Sequence, residues 1–323
     1  MRDDKIIRRC EARARGVTDS EVRRLVRTGA WIRLGSGVYI PSDIYTDADE
    51  RDRHVYRALA AMEHFREGVA LSHVSAAMLH GLETWQISLD VVHVTRNRSG
   101  GSRRGSGCVL HSSKFTEDEV TPKDSVRVLS VARTITDLAS TLSFEQAVVV
   151  GDRALRIGTT TLDELKRAVE RMGRHPGRAK AARAVRLMSD RSDSVGESRS
   201  RVLMIGAQLP IPEEQPDVFD ANGRWLARVD FLLPEHGVIG EFDGRIKYRR
   251  DGVATTEAED VVFQEKLRED RLRHAGWVVV RWTWADLQTP DTLVARIREG
   301  IALAARGSGP VGTFDTRKLA GQM

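Results

Sequence analysis

The sequence predicts a multidomain α/β protein with three folded regions and a short tail. Helix-forming and strand-forming segments alternate through a chain of 323 residues, which is too long for one ordinary domain. Hydrophobic residues make up 41% of the chain and charged residues 30%, as in globular proteins. We place the regions at residues 1–42, 43–189 and 190–306, and we predict that residues 307–323 are disordered.

The charge and the cysteine content limit the classes of function. Lys and Arg number 51 against 46 Asp and Glu, a formal charge of +5, which permits nucleic-acid binding without requiring it. Cys10 and Cys108 have no spacing typical of a zinc site or a disulfide framework. The first residues lack the apolar core of a signal peptide, and no apolar run is long enough to cross a membrane. We therefore expect a cytoplasmic protein with no membrane partner.

The first region is predicted to be a winged helix-turn-helix. Residues 3–14 predict a short helix, and residues 18–29 predict a second. Thr18 and Glu21 form a capping box at the start of the second helix, and Gly29 ends it. Two short strands around the turn "GSG" follow and would form the wing.

The second of these helices carries the candidate DNA contacts. Its predicted buried stripe consists of Val22, Leu25 and Val26. Its other side carries Arg23, Arg24 and Arg27. Several arginines on one side of a helix can enter a major groove, and Arg33 in the wing could then contact phosphate. The alternative is a solvated basic helix in a small scaffold.

The middle region is predicted to mix helices and strands around a basic loop at residues 97–107. One small-residue helix there carries His73 and His80, seven positions apart on one face. Metal binding by this pair is the lesser alternative, because buried histidines more often pack or cap.

The sharpest functional pattern lies in a predicted β-hairpin of the third region. The segments "VDFLL" and "GVIGEF" flank "PEHG", which is typical of a hairpin loop. A symmetric loop pairs Leu233 with Val238. Counting outward from this pair gives two further pairs, Asp230 with Glu241 and Arg228 with Asp243.

Alternation of side chains sorts this hairpin into two faces. One face carries the acids Asp230, Glu241 and Asp243. The other face is apolar and is expected to contact the core; it carries Val229, Phe231, Leu233, Val238 and Phe242.

Two acids that face each other across a hairpin predict a metal site. Opposite Cβ atoms lie roughly 4.5–5.5 Å apart, and two carboxylates at that distance repel unless a proton or a cation separates them. Mg²⁺ or Mn²⁺ between Asp230 and Glu241 would polarise a phosphate oxygen and lower the pKa of a bound water, which is the chemistry of phosphodiester hydrolysis. The alternative is a solvent-facing strand that carries two acids by chance.

Residues 197–286 resemble the endonuclease-like family related to the very-short-patch-repair (Vsr) endonuclease, in the PD-(D/E)XK superfamily. The matching segments include "RVDF", "GEFDG", "EKLREDRLRHAGW" and "VVRWTWADL". The resemblance implies a restriction-endonuclease-like α/β domain in which Asp230 and Glu241 bind the metal ion. It also implies that Glu197, on the leading helix, joins the site.

The sequence departs from that family's pattern at the residue that supplies the catalytic positive charge. Asp243 stands where the motif has a lysine, so Lys247, or Lys266 on the next helix, becomes the candidate. That helix otherwise predicts a solvated face, with the pairs Glu265/Glu269 and Gln264/Arg268. Three nearby tryptophans are predicted to pack in the core rather than to stack on bases: Trp277, Trp282 and Trp284.

The segment "GVTDSEVRRLVRTGAWIRLGSGVYIP" resembles the winged-helix domain of AbiEi-type antitoxins of type IV toxin–antitoxin systems. The segments "LSHVSAAMLHGL" and "RTITDLA" resemble the middle region of that family, so the resemblance covers roughly the first 185 residues. It implies promoter binding and autoregulation, with a cognate toxin or its promoter as a partner.

Two functions and one weaker alternative follow. The first is a Mg²⁺-dependent DNA endonuclease of defence or repair, in which Asp243 and Glu197 support the two metal ligands and Lys247 supplies positive charge. The second is an antitoxin-like autoregulatory repressor whose nuclease fold is inactive. The third is an accessory protein that acts with a partner nuclease. DNA is the expected partner in each.

Overall fold

The structure is a computed structural model that describes residues 3–65, 68–105, 107–244 and 256–316, with side chains in the last range from residue 265 onward. The chain divides into two compact units, Met1–Met188 and Ser189–Met323, and its architecture is mixed α/β with several separate sheets. Within the described ranges, no helix combines the length and the apolar character needed to span a bilayer.

The first unit begins with a helix–helix–hairpin segment, as predicted for a winged helix-turn-helix. Its elements are a 3-10 turn (Asp3–Lys5), β1 (Ile7–Arg8), α1 (Arg9–Ala14), α2 (Asp19–Arg27), β2 (Trp31–Gly35) and β3 (Val38–Pro41). The three strands form an antiparallel sheet in the order β1-β3-β2. The helix predicted over 3–14 is wrong in its first half, because Ile7 and Arg8 pair with Tyr39 and Val38 of the wing instead.

Helix α2 begins and ends where its sequence predicts. The backbone N–H of Glu21 donates to Thr18 Oγ1 (3.3 Å), and the Glu21 carboxylate accepts from the backbone N–H of Thr18 (2.8 Å). Gly29 follows the helix with φ +77°, a left-handed conformation that glycine adopts without strain. Val22 is buried on the inner side, so this residue determines which side of α2 faces solvent.

A mixed six-stranded sheet forms the centre of the first unit. Its strands are β4 (Val69–Leu71), β5 (Val92–Arg96), β6 (Arg103–Gly105), β7 (Cys108–Ser112), β8 (Val120–Lys123) and β9 (Val126–Leu129). Their order is β6-β7-β5-β4-β9-β8, and β5 runs parallel to β7. The predicted basic loop at 97–107 is therefore not irregular throughout, because β6 lies in it and pairs with β7.

The helices of this unit pack against its two sheets and against one another. They are α3 (Ser42–Asp47), α4 (Glu50–Met62), α5 (His73–His80), α6 (Val131–Thr141), α7 (Phe144–Arg156), α8 (Leu162–Arg171) and α9 (Arg178–Val185). Every residue of α5 is buried, because its alanines and serine allow close packing. His80 Nε2 donates to the carbonyl oxygen of Leu129 (2.7 Å), and His80 does not share a ligand cluster with His73.

The second unit contains two small sheets with flanking helices. Its elements are α10 (Val195–Gly206), β10 (Glu213–Glu214), β11 (Asp217–Phe219), β12 (Trp225–Arg228), β13 (Phe231–Leu233), β14 (Val238–Asp243), α11 (Thr256–His274), β15 (Val278–Thr283), α12 (Trp284–Gln288), α13 (Pro290–Ala304) and β16 (Thr313–Asp315). One sheet has the order β10-β13-β14-β15, with β14 and β15 parallel, and the other has the order β12-β11-β16.

The predicted hairpin is present as β13 and β14. Leu233 pairs with Val238, as the symmetric loop predicts, and Phe231 pairs with Gly240. A 3-10 turn joins the strands, and Gly237 closes it with φ +64°. Both faces of the sheet are covered, one by a cluster around Phe231 and the other by a cluster around Leu232.

Two details of the predicted hairpin are wrong. Arg228 pairs with Asp217 rather than Asp243, because the chain bends at Asp230 and the preceding residues belong to the other sheet. Val229 packs with the cluster around Leu232, on the side opposite the predicted one.

The segment after Arg306 is not wholly disordered, and the prediction for 307–323 is wrong for Thr313–Asp315. This strand pairs with Asp217–Phe219. Gly312 makes the approach possible, because a Cβ at this position would overlap the carbonyl oxygen of Phe219. Residues 317–323 lie outside the described ranges.

Candidate functional site

The predicted acids of the hairpin lie together in one cleft of about 250 Å³. The cleft is lined by Asp230, Glu241, Phe242, Asp243, Gly244, Glu265, Arg268 and Arg281. Glu241 follows Ile239 along one face of β14, and Ile239 packs against Leu272 of α11. Helix α11 therefore buries the apolar part of this face, and the acids occupy its end.

Asp230 is held at the bend that precedes β13. Its Oδ2 accepts a hydrogen bond from the backbone N–H of Phe242 (2.8 Å), and its Oδ1 accepts from Gln215 Nε2 (3.4 Å). Burial, together with the negative charge of Glu197, raises the pKa of Asp230 to about 7. The structure thus ties Asp230 to the partner strand, as expected for a residue opposite Glu241.

Glu197 lies beside Asp230 but serves mainly to cap α10. Its carboxylate accepts from the backbone N–H of Asp193 (2.9 Å) and from Ser194 Oγ (2.7 Å). Gln215 Nε2 also donates to Glu197 (2.8 Å), so this amide bridges the carboxylates of Glu197 and Asp230. Burial raises the pKa of Glu197. Glu197 is not among the residues that line the cleft.

Two arginines neutralise Glu241. Arg268 Nη2 donates to both carboxylate oxygens of Glu241 (2.7 and 2.8 Å), and Arg281 Nη2 donates to Oε2 (3.2 Å). Burial raises the pKa of Glu241, and the two guanidinium groups oppose that rise. Glu241 is only 7% exposed, so these contacts take place largely out of water.

The acids of α11 extend this network. Glu265 accepts from Arg268 (2.9 Å) and from Arg281 (2.8 Å), and Glu269 pairs with Arg281 (3.1 Å). Of the residues predicted to lie on a solvated helix face, Glu265 and Arg268 line the cleft, whereas the side chain of Gln264 lies outside the described residues. We call Glu241, Glu265, Glu269, Arg268 and Arg281 the arginine network.

Arginine, not lysine, supplies the cations in the described part of the cleft. Lys247 lies outside the described residues, and Lys266 is exposed and does not line the cleft. Sequence reasoning missed Arg268 and Arg281 as site residues, because they lie 27 and 40 positions from Glu241 in the chain. Asp243 lines the exposed edge of the cleft.

The cleft suits a hard divalent cation only in part. Carboxylate oxygens are the ligands that Mg²⁺ prefers, and Asp230 and Glu241 both offer them. Arg268, however, engages both oxygens of Glu241. Within the described ranges, the acids of the cleft do not form a group of three whose ligand oxygens all lie within 4.8 Å of one another.

The predicted tryptophan packing is confirmed for the two buried rings. Trp282 is 0% exposed, and its Nε1 donates to Ser200 Oγ (2.7 Å). Trp277 is buried in the cluster around Leu232. Trp284 packs edge-on against Phe242, with ring centroids 5.1 Å apart.

The candidate DNA-contacting residues of the first unit are exposed. Arg23, Arg24 and Arg27 all lie on the outer side of α2, and Arg33 lies on the outer side of β2. Arg33 Nε donates to the carbonyl oxygen of Gly35 (3.1 Å). None of these four arginines has an ion-pair partner among the residues that the structure describes. Their positive charge is therefore directed at solvent.

Comparison with known families identifies the N-terminal segment. Residues 1–41 match the family described as transcriptional regulator, AbiEi antitoxin. The match spans α1, α2 and the wing, so it confirms the predicted resemblance for this segment. It ends at residue 41, before the middle region and before the acidic cleft.

The relatives that match a larger part of the chain are of unknown function. The uncharacterized proteins Rv2248 and MT2308, from the H37Rv and CDC 1551 strains of Mycobacterium tuberculosis, are each 26% identical over 276 residues. The alignment covers 84% of this chain and 93% of each relative. The crystal structure of the RV2827C protein from Mycobacterium tuberculosis aligns with 56% of this chain and 71% of its own, at 14% identity. Its TM-score of 0.39 is too low to indicate a shared fold.

Proposed function

We propose that this chain is a DNA-binding transcriptional regulator of the AbiEi antitoxin type, with α2 as the helix that enters the DNA groove. The match of residues 1–41 to that family supports the regulatory function. The observation that carries the proposal is the exposed row of arginines on α2, opposite the buried Val22.

The chemistry of this surface fits a nucleic acid. Arginine offers a planar fork of donors that matches phosphate oxygens and the major-groove edge of guanine. Arg23, Arg24 and Arg27 form no salt bridge among the described residues, although Asp19 and Glu21 lie near Arg23 and Arg24, so binding to DNA would break no direct ion pair. Arg33 in the wing would add a contact to the phosphate backbone.

The first test is binding of the full chain to the promoter of its own gene and of any adjacent toxin gene. Fluorescence anisotropy over a range of salt concentrations measures both the affinity and its salt dependence. We expect the double variant Arg23→Ala/Arg27→Ala to bind at least about tenfold more weakly, with a salt slope reduced by roughly two if both arginines contact phosphate.

A matched control removes the same charge elsewhere in the same unit. Arg167→Ala/Arg174→Ala takes two exposed arginines from outside the winged segment and should leave binding nearly unchanged. Equal losses of DNA affinity in the two double variants would show that the effect comes from net charge alone. Unchanged binding of the α2 variant would exclude α2 as the contact helix, and preference for single-stranded RNA would contradict the proposal.

A metal-dependent DNA endonuclease is the second candidate. The observation that favours it is that Asp230 and Glu241 line one cleft at the end of the β13–β14 hairpin. Asp230 and Glu241 would hold Mg²⁺ or Mn²⁺, which when bound polarises a phosphate oxygen. Arg268 would have to release Glu241, and its guanidinium would then be available to a phosphate.

Nicking of supercoiled plasmid with Mg²⁺ or Mn²⁺ tests this candidate. Activity that depends on the metal ion and is lost in both Asp230→Asn and Glu241→Gln would support it. Glu235→Gln is the control, because Glu235 is exposed at the opposite end of the same hairpin. Promoter binding without nicking would leave the regulator as the function and would assign the cleft a structural role.

A further inference from the structure

Three histidines from separate parts of the chain come together in the first unit. His73 is the first residue of α5, His93 lies in β5, and His111 lies in β7. Each offers a ring nitrogen, and the three nitrogens all lie within 4.8 Å of one another. We call these residues the histidine cluster.

The sheet places two members of the histidine cluster side by side. Strands β5 and β7 are parallel neighbours, and Thr95 pairs with His111. Because side chains alternate along a strand, His93, Thr95 and His111 share one face. His93 Nδ1 and His111 Nε2 form a hydrogen bond and lie 3.0 Å apart.

Helix α5 brings the third ring over the same face. The ring of His73 stacks on that of His111, with centroids 3.9 Å apart. His73 has φ +50°, a left-handed conformation that a residue with a Cβ rarely adopts. Such outliers occur where the surrounding structure requires a particular side-chain direction, and here the direction is toward the two strand histidines.

Two observations at the histidine cluster point to a ligand: a free ring nitrogen of His73 and the hydroxyl of Thr95 on the same face. His73 Nδ1 lies 3.0 Å from Ser72 Oγ, which leaves Nε2 for an ion. Thr95 Oγ1 is buried and has no hydrogen-bond partner within the described part of the chain. A buried hydroxyl without a partner is unfavourable, and a metal-bound water would supply one.

The distances fit a transition metal ion. Zinc bound to imidazole nitrogen at roughly 2.0–2.1 Å in tetrahedral geometry requires nitrogen pairs about 3.3 Å apart, close to the His93–His111 separation. Rotation of the His73 ring would bring in the third ligand.

We propose that His73, His93 and His111 form a binding site for a divalent transition metal ion of the zinc class, with three imidazole ligands and a fourth position for water. His93 and His111 are partly exposed, so an ion can enter from solvent. The ion links the start of α5 to β5 and β7. The site lies in the first unit and does not depend on either function proposed above.

Metal titration of the full chain tests the site. The host is the chain with Asp230→Asn and Glu241→Gln, so that the acidic cleft cannot contribute. We expect one Co²⁺ per chain with strong visible absorption, which one equivalent of Zn²⁺ displaces. His93→Ala and His111→Ala should each lower zinc affinity by more than about tenfold, since loss of a supporting group alone costs that much.

His64→Ala is the matched control, because His64 is an exposed histidine of the same unit outside the histidine cluster. Zinc affinity that survives His93→Ala and His111→Ala would overturn the proposal. Should those variants fail to fold, the imidazole ¹⁵N resonances of the unmodified chain are read with and without Zn²⁺. Selective shifts of three of the nine histidines support the site, and no shift, or shifts of other histidines, would overturn it.

Discussion

Arginine has opposite roles on helix α2 of the first unit and in the acidic cleft of the second unit. On α2 of the first unit, Arg23 and Arg27 are exposed and form no salt bridge among the described residues. In the cleft of the second unit, Arg268 and Arg281 are held by Glu241, Glu265 and Glu269. An arginine without an internal partner can bind a phosphate at little cost. An arginine that neutralises a buried acid stabilises the fold first and can act on a ligand only after that pair breaks.

Because its arginines already neutralise its acids, the acidic cleft is not by itself evidence of a metal ion. Two facing carboxylates need a cation, and Arg268 already provides one at Glu241. In the ranges that the structure describes, the histidine cluster holds no cationic side chain between its ring nitrogens, and His93 and His111 hydrogen-bond to each other instead. Ion binding at the cleft must displace a guanidinium, whereas at the histidine cluster it must open the His93–His111 hydrogen bond and turn the His73 ring out of its stack on His111.

The largest effect that we expect is from removal of Arg268. Arg268→Ala leaves Glu241 buried with one weaker partner, and we expect the free energy of unfolding to fall by roughly 3 kcal/mol. Chemical denaturation of the full chain measures this loss. Adding Glu241→Gln should recover a large part of it, because the uncompensated charge is then absent. A loss below about 0.5 kcal/mol would show that the pair behaves like a surface salt bridge.

The next effect tests the packing that positions Glu241. A Cβ at Gly240 would lie 2.5 Å from the ring of Trp282, which is fully buried and cannot move aside. We expect Gly240→Ala to destabilise the chain by about 1–3 kcal/mol, as overpacking of a core does.

Gly206→Ala is the matched control, measured in the same denaturation series. Gly206 ends α10, and a Cβ there would meet nothing within 4 Å. It should be neutral, or stabilising by up to about 1 kcal/mol, because alanine favours helix. Equal effects of the two substitutions would contradict the assigned packing of Trp282.

The placement of the acids could be predicted from the sequence because it depends on local rules. A symmetric loop and the two-residue alternation of strands predict Asp230 opposite Glu241; the observed pairing runs from Leu233–Val238 to Phe231–Gly240, and both acids line one cleft. The same counting fails at the next predicted pair, Arg228 with Asp243. The bend at Asp230 moves Arg228 into another sheet, and no pattern in the sequence marks that bend.

Contacts between distant parts of the chain could not be predicted in this way. Arg268 and Arg281 reach Glu241 from α11 and β15, and their sequence neighbourhoods are typical of any exposed helix or strand. The sequence indicates the histidine cluster only weakly. His93 and His111 each interrupt an apolar strand, as "VVHV" and "VLHS", but only the sheet order makes β5 and β7 neighbours.

A smaller effect concerns pH and the charge of Asp230. Its pKa is about 7 in the folded chain, against 3.8 ordinarily, so between these values the folded state keeps a proton that the unfolded state loses. The stability that this proton contributes is present at low pH and is lost as pH rises through about 7.

Asp230→Asn, which resembles the neutral acid, should therefore gain stability relative to the unmodified chain as pH rises. We expect a gain of roughly 1 kcal/mol between pH 5 and pH 8, since one unit of pKa corresponds to about 1.4 kcal/mol and Asp230 is only partly buried. Denaturation with a chelator present measures the difference. A pH-independent difference would show that Asp230 is already ionised in the folded chain.

The smallest effect completes the contrast between the two sets of arginines. Arg23→Ala/Arg27→Ala removes two arginines, yet we expect the free energy of unfolding to change by no more than about 0.5 kcal/mol, because neither side chain neutralises a buried acid. Measured beside Arg268→Ala, this variant separates arginines that stabilise the fold from arginines free to bind a ligand. A loss comparable to that of Arg268→Ala would mean that α2 depends on its arginines for folding, and weaker DNA binding could then not be assigned to lost contacts.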